Sequence, residues 1–360
     1  MEARRSVQGG LRYVHRGNAL QHFSLASLFL DATILAMSEP WAVSKVTYRL
    51  PPDEDIQDGV RTSALVIDDL IKRATGHIGN AIRREGIPGF RDAQAGHVSA
   101  VFHSMKWTHN SIRELLRNEV HPSSVDALIL VRTQLEALYS ICHILEKPSS
   151  VEDYVKGAWK KAFCRFLLDR EEHLHLPRFR EFYQTRADQS INAFQIPSGV
   201  TAAERATIEL DELGTPLPAG MVRTDIKRFP TPAVITRTVG DPTRKQMLLR
   251  LYPEYQHLSN PVHGSPLISI FKNAFDRESV YRNNFADDQR QDIFDKEIAS
   301  YALMFDLISV IQACTEFAPF YLTDVNVVGT LTESWNAITR GSLLGGIIWN
   351  LRSKALLGVL

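Results

Sequence analysis

The stretch Ser124 to Glu146 limits the fold more than any other. Its interior reads VDALILVRTQLEALYSICHIL, apolar almost all the way round a helix. A helix of that kind is stable only when neighbours cover it. Four polar residues interrupt it, Arg132, Glu136, Tyr139 and His143, at spacings of four, three and four. At about 100° per residue these fall on one narrow face. Burying a charge is costly unless a partner neutralises it, and Arg132 can reach Glu136 along the same helix. The stripe therefore reads in two ways. It is an ion pair that locks a bundle, or a preorganised charged wall of a pocket.

Helical periodicity dominates the rest of the chain. Strand-like alternation is confined to Lys45–Leu50, which Pro51-Pro52 ends. Helices are expected from about Asp55 to Arg84, Asp92 to Arg117, Ser124 to Glu146 and Ser150 to His173. Further helices are expected from Pro177 to Phe194, Pro266 to Phe275, Asp287 to Phe317 and Asp324 to Thr339. Ser123-Ser-Val-Asp126 has capping-box spacing, with Asp in the usual place of Glu. The stretch Gly214 to Pro242 holds Pro216, Pro218, Pro230, Pro232 and Pro242, with Gly220 and Gly240. It predicts a long, mostly irregular connection of the kind that covers something or acts as a lid, with helix resuming near Thr243. The class is all-α, an antiparallel helical bundle. Residues 1–90 are expected to be an N-terminal helical extension, 91–320 the bundle, and 321–360 a C-terminal helix and tail.

Lys+Arg and Asp+Glu both number 41 among 360 residues. That balance argues against indiscriminate binding to nucleic acid or to a membrane surface, and leaves room for a local basic patch. Cys142, Cys164 and Cys314 are far apart, without disulfide or metal spacing, which fits a reducing cytoplasm and buried thiols. Arg4, Arg5, Arg12 and Arg16 precede the apolar run Phe23–Met37, but Asp31 interrupts it and no clear cleavage site follows. Leu343–Leu360 contains Arg352 and Lys354, and its uncharged part is too short to span a bilayer. Neither run is expected to cross a membrane.

The decapeptide YQHLSNPVHG, Tyr255–Gly264, concentrates proton-handling groups beside a helix breaker. Pro253 is placed to start a helix. Tyr255 and Ser259 then share a face. Pro261 removes a backbone donor and crowds the preceding turn. If the helix bends and continues, His263 joins Tyr255 and Ser259. If it ends near Asn260, His263 sits beyond a helix C-terminus, where the dipole favours the imidazolium. The plainer alternative is a cap and turn with incidental histidines.

Asp169 with His173, and Glu171 with His175, have the i,i+4 spacing of metal ligands. With no further ligand identifiable, a solvated polar cluster is the simpler reading and no metal is expected. His97, His103 and His109 recur every six residues, rotate around their helix, and are expected to be structural or exposed. There is no Walker phosphate loop, Gly-x-Gly-x-x-Gly, Gly-x-Ser-x-Gly or His-Glu-x-x-His.

Two segments taken together, RTQLEALYSICHIL (Arg132–Leu145) and YPEYQHLSNPVHGS (Tyr252–Ser265), resemble a bacterial family of uncharacterised helical proteins. The shared pattern is Arg-x-x-Leu-Glu followed by Tyr-x-x-Tyr-x-x-Leu-Ser-x-x-x-His. Here it falls on Arg132, Leu135, Glu136, Tyr252, Tyr255, Leu258, Ser259 and His263. The resemblance covers roughly residues 95–320 and leaves the first 90 and last 40 residues unmatched. That family is in turn similar to the HEPN superfamily of helical bundles. Many HEPN proteins are dimeric, metal-independent ribonucleases acting as toxins or defence effectors, with an Arg-x(4–6)-His motif. Arg250 and His257 fit that spacing. The resemblance implies a cofactor-free site in which His263, Arg132 and Glu136 are catalytic. Tyr255, Ser259, Tyr139, Arg250 and His257 would position the substrate. RNA is the implied partner, a homodimer the implied assembly, and no signal is specific to DNA. RNA supplies its own 2′-hydroxyl nucleophile; a histidine can move the proton and an arginine can hold the phosphorane charge. Two alternatives stand beside this: a non-catalytic helical module that binds a ligand or protein, and a metal-dependent hydrolase using Asp169–His175.

Overall fold

The computed structural model describes residues 53–117, 124–216, 218–219, 226–262 and 287–359. Contacts divide the chain into two units, Val43–Ile268 with Asp295–Leu360, and Met1–Ala42 with Ser269–Phe294. The fold that follows is that of the first. Lys45–Leu50, the Pro266–Phe275 helix and His263 lie outside the described residues.

The described residues contain helices and no strand. In chain order these are α1 Asp53–Glu85, α2 Asp92–Arg117, α3 Ser124–Glu146, α4 Ser150–His173, α5 Pro177–Glu181, α6 Ala187–Gln195 and α7 Ala202–Glu212. They continue with α8 Pro232–Thr238, α9 Pro242–Val262, α10 Asp287–Phe317, α11 Val325–Gly341, α12 Leu343–Ile348 and α13 Lys354–Leu356. Single π-helical turns, Phe182–Arg186 and Trp349–Ser353, join α5 to α6 and α12 to α13. The first four helices end within two residues of where periodicity places them. Gly86, at φ 70°, closes α1 in the left-handed conformation that glycine adopts freely.

Helix α3 packs against α2 and α9, and α1 against α11. Helices α1 and α11 belong to the same contact unit as α2, α3 and α9. Helix α10 is the most enclosed segment, with every residue from 305 to 318 buried. Both α3, over Asp126–Glu146, and the Ile298–Phe320 segment are long and apolar enough to cross a membrane by length and composition, and both are mostly covered by neighbouring helices here.

The described part of the connection from 214 to 242 is mostly irregular, as expected, apart from the two-turn helix α8 that Pro232 opens. One sequence expectation is corrected. Pro253 does not begin a helix: α9 runs without interruption from Pro242 to Val262. The Leu249 carbonyl, which Pro253 leaves without its i+4 donor, belongs to a half-exposed residue on the solvent side, where water can satisfy it. Helix α7 was not foreseen, although Thr201 and Glu204 form a full capping box at its start.

Two buried polar networks tie the bundle together. In the first, His109 Nδ1 lies 2.5 Å from Asp306 on α10, and Gln134 on α3 donates to the other Asp306 oxygen at 2.8 Å. The far side of the His109 ring faces Asp68 of α1 at 3.7 Å, and Asp68 pairs with Arg113. Of the three evenly spaced histidines, His109 is the buried one, His97 is half-buried and His103 is exposed. In the second network, fully buried Glu316 takes Arg352 on one side and Arg244 on the other, the closest Arg244 contact being 2.9 Å. Arg352 also reaches Asp241 at 3.0 Å, and Arg244 reaches Glu146 at 3.1 Å. This network fixes the C-terminal turns, the start of α9 and the end of α3 to α10. Burial alone would push the Glu316 carboxyl up; hydrogen bonds from Arg352 and the charge of Arg244 outweigh it and hold the carboxyl below its usual range.

Candidate functional site

The seam between α3 and α9 gathers most of the residues that the sequence singled out. Arg132 sends its guanidinium across the seam. Nε donates to Ser259 Oγ at 3.0 Å, Nη2 to the Tyr255 hydroxyl at 3.1 Å, and Nη1 to Glu136 at 3.3 Å. The guanidinium carbon also lies 5.1 Å from the Tyr255 ring centroid, within cation–π range. Tyr255 and Ser259 stand one turn apart on the face of α9 that meets α3, as their i,i+4 spacing predicts. Ser259 Oγ in turn donates to the Tyr255 carbonyl at 2.7 Å, which leaves its oxygen oriented toward Arg132.

The site sits at the surface of the seam. The Arg132 side chain is 20% exposed and that of Glu136 is 44% exposed. Burial pushes the Tyr255 phenol up, the Glu136 charge adds to this, and Arg132 partly offsets it. Tyr255 therefore remains a neutral donor and acceptor at neutral pH. Three of the five N–H donors that a guanidinium carries are engaged within the fold.

Tyr139 has a different place. Its side chain is fully buried and its hydroxyl donates to the Leu248 carbonyl at 2.6 Å, in the turn ahead of Pro253. A proline inside a helix crowds the preceding turn, and Tyr139 supplies a donor there. Its ring packs 5.9 Å from that of Tyr255, so it supports the site from beneath. Arg250 and His257 are not brought to Arg132. They sit about 150° round α9 from Tyr255 and share a more solvent-facing side. His257 lies 3.8 Å from Glu254, whose hydrogen bond raises the imidazole pKa above its usual value. Glu254 also accepts from Tyr301 of α10. His263 follows Ser259 by four residues in sequence and lies outside the described residues.

The structure adds two side chains, Phe229 and Tyr154, to the His143 end of this face. His143 continues the α3 stripe beyond Glu136 as the sequence places it, and burial, reinforced by the charge of Lys147, lowers its pKa. Phe229, from the segment between α7 and α8, packs edgewise against His143 at 5.5 Å and against Tyr154 of α4 at 4.8 Å. The Tyr154 phenol is pushed up first by burial and then by Glu136, which ties the trio to the Arg132 end of the stripe. The spacing of His143 from Glu136, seven residues, was legible on α3. Phe229 was not, because it lies among prolines with no periodicity around it.

His173 Nδ1 pairs with the Asp169 carbonyl at 2.8 Å, and its ring stacks on Tyr183 at 5.9 Å. No group of three or more His, Cys, Asp or Glu suited to a metal occurs among the described residues. A surface cavity of about 420 Å³ nearby, lined by Arg170, Tyr183, Asp188, Arg205 and Glu209 among others, does not reach the α3–α9 seam.

The described residues form an all-α bundle with a partly exposed arginine cluster between two of its helices. Comparison with protein-family models, with curated proteins and with solved structures finds no match.

Proposed function

We propose that this chain acts on RNA at the α3–α9 seam, cleaving it by metal-independent transesterification in the manner of the HEPN-like proteins that its motifs resemble. The observation that carries this reading is the convergence on Arg132. Ser259 and Tyr255, more than 120 residues away in sequence, both orient one partly exposed guanidinium beside a partly exposed carboxylate. A fixed guanidinium fork is suited to a phosphate's paired oxygens. In the proposed reaction the 2′-oxygen attacks phosphorus as its proton passes to His263. Arg132 balances the added charge on the phosphorane, and the 5′-oxygen departs with the proton that the His263 imidazolium gives back. The products are a 2′,3′-cyclic phosphate and a 5′-hydroxyl, with no water or redox partner consumed. Glu136 holds Arg132 in register.

The test is purified protein on mixed RNA in excess chelator. Cleavage is expected in the native chain and loss of it in His263→Ala. Undiminished cleavage in His263→Ala removes that residue from the mechanism, and loss in His257→Ala instead would move the chemistry to the outer face of α9. A second reading is favoured by the engagement of three Arg132 donors within the fold: the cluster is a structural lock in a non-catalytic binding module. That reading predicts no cleavage by the native chain and a loss of stability in Arg132→Ala.

A further inference from the structure

Helix α3 carries its stripe past the Arg132 cluster to His143. Arg132 and His143 are eleven residues apart, which returns them to nearly the same face about 16 Å along the axis. That separation is too great for both to touch one reacting phosphate, and it is close to the span of two to three nucleotides of extended strand. At the His143 end, three partly exposed rings meet: His143, Phe229 and Tyr154. Phe229 is preceded directly by Lys227 and Arg228, both exposed, and Lys147 is exposed one turn beyond His143. None of these three cations has a carboxylate within ion-pair distance among the described residues, and they stand together at one end of the stripe. The acidic groups nearest this end are accounted for differently. Glu146 is engaged by Arg244 and by the Gly240 N–H, and Asp153 is close enough to His143 to oppose the lowering of its pKa.

We infer that this aromatic and basic end is a single-strand subsite: it takes an unstacked base of RNA against Phe229 and Tyr154, with the flanking phosphates on Lys227, Arg228 and Lys147. The inference rests on the proposed action on RNA at the neighbouring Arg132 cluster. Its physical basis is separate from that chemistry. Base–aromatic stacking tolerates any base, and it requires a base that is not already stacked in a duplex. Interleaved cations track the backbone and make binding dependent on salt. The substrate class is thus single-stranded RNA, or a loop, in preference to duplex.

The experiment is equilibrium binding of a labelled single-stranded oligoribonucleotide of mixed sequence, and of the same sequence annealed as duplex, across a salt series. The single strand is expected to bind at least about tenfold tighter. Phe229→Ala is expected to weaken single-strand binding about tenfold, toward the low end of one base stack, with little effect on duplex. Phe229 is partly buried, so a variant that cannot perturb the core stands beside it. The pair Lys227→Gln with Arg228→Gln is expected to lower the slope of log affinity against log salt by about 1.4, the single-strand value for two phosphate contacts. If the native chain binds the single strand while both variants match it in affinity and slope, the subsite is wrong and the action on RNA stands. If the native chain binds neither form, both are wrong.

Discussion

Glu316→Ala is expected to cost about 3–5 kcal/mol of folding stability, the range for removing one partner from a buried charge cluster. Glu316 is wholly buried, and it holds two arginines, Arg244 and Arg352, of which Arg352 is itself almost completely enclosed. Without the carboxylate, two guanidinium groups face each other in the interior with only Asp241 and Glu146 at their outer edges. The C-terminal turns and the start of α9 should loosen together. Chemical denaturation at neutral pH measures the effect, and a loss below about 1 kcal/mol would contradict the assigned role. A joint replacement of Glu316, Arg244 and Arg352 by apolar residues of similar volume should recover much of the loss, because a buried ion cluster is weak evidence of net stabilisation. The pH dependence has a fixed sign. The folded-state pKa of Glu316 lies below its usual value of 4.5, so its contribution is fully present above that value and is lost as pH falls below it. Glu316→Gln should flatten that acid limb of the stability profile.

Arg132→Ala is expected to lower RNA cleavage about 10²–10³-fold, the typical effect of removing a donor that stabilises transition-state charge. Its cost in stability should be far smaller than that of Glu316→Ala, since Arg132 is partly exposed and its partners can turn to water. Arg132→Lys should not rescue activity. An ammonium on a flexible stem cannot donate to Ser259, Tyr255 and a phosphate in one fixed fork. Single-turnover rates at saturating enzyme, beside melting curves for each variant, separate the two effects. A rate within about threefold of native in a folded Arg132→Ala would assign the cluster to structure alone.

Much of the fold was legible because α1 to α4 and α10 announce themselves by period and by their flanking breakers. The Arg132–Glu136 pair was legible for the same reason, as two charges on a helix otherwise too apolar to be exposed. What lies across the bundle was not. Proline is a good prior for a helix start, yet α9 runs through Pro253, and the carbonyl it strands belongs to Leu249, a half-exposed residue where water can serve as donor. That difference puts Arg250 on the same helix as Tyr255 and Ser259; these two meet α3, while Arg250 and His257 lie round the helix from them. Tyr139 could be placed on the stripe, but its burial under α9 depends on where Leu248 lands. Phe229 could not be found at all, since only tertiary packing brings the 226–231 segment to His143. The Glu316 network was hidden for a related reason: its members come from α3, α9, α10 and the chain's last turns, and no local pattern links them.

The most direct measurement is the chemistry of the product ends. Single-stranded RNA is incubated with the purified protein in excess chelator, and the fragments are analysed for their termini. Cleavage at this site should yield 2′,3′-cyclic phosphate and 5′-hydroxyl ends, should persist in chelator, and should disappear in Arg132→Ala and His263→Ala. Intact RNA under those conditions, or fragments ending in 3′-hydroxyl and 5′-phosphate, would contradict it.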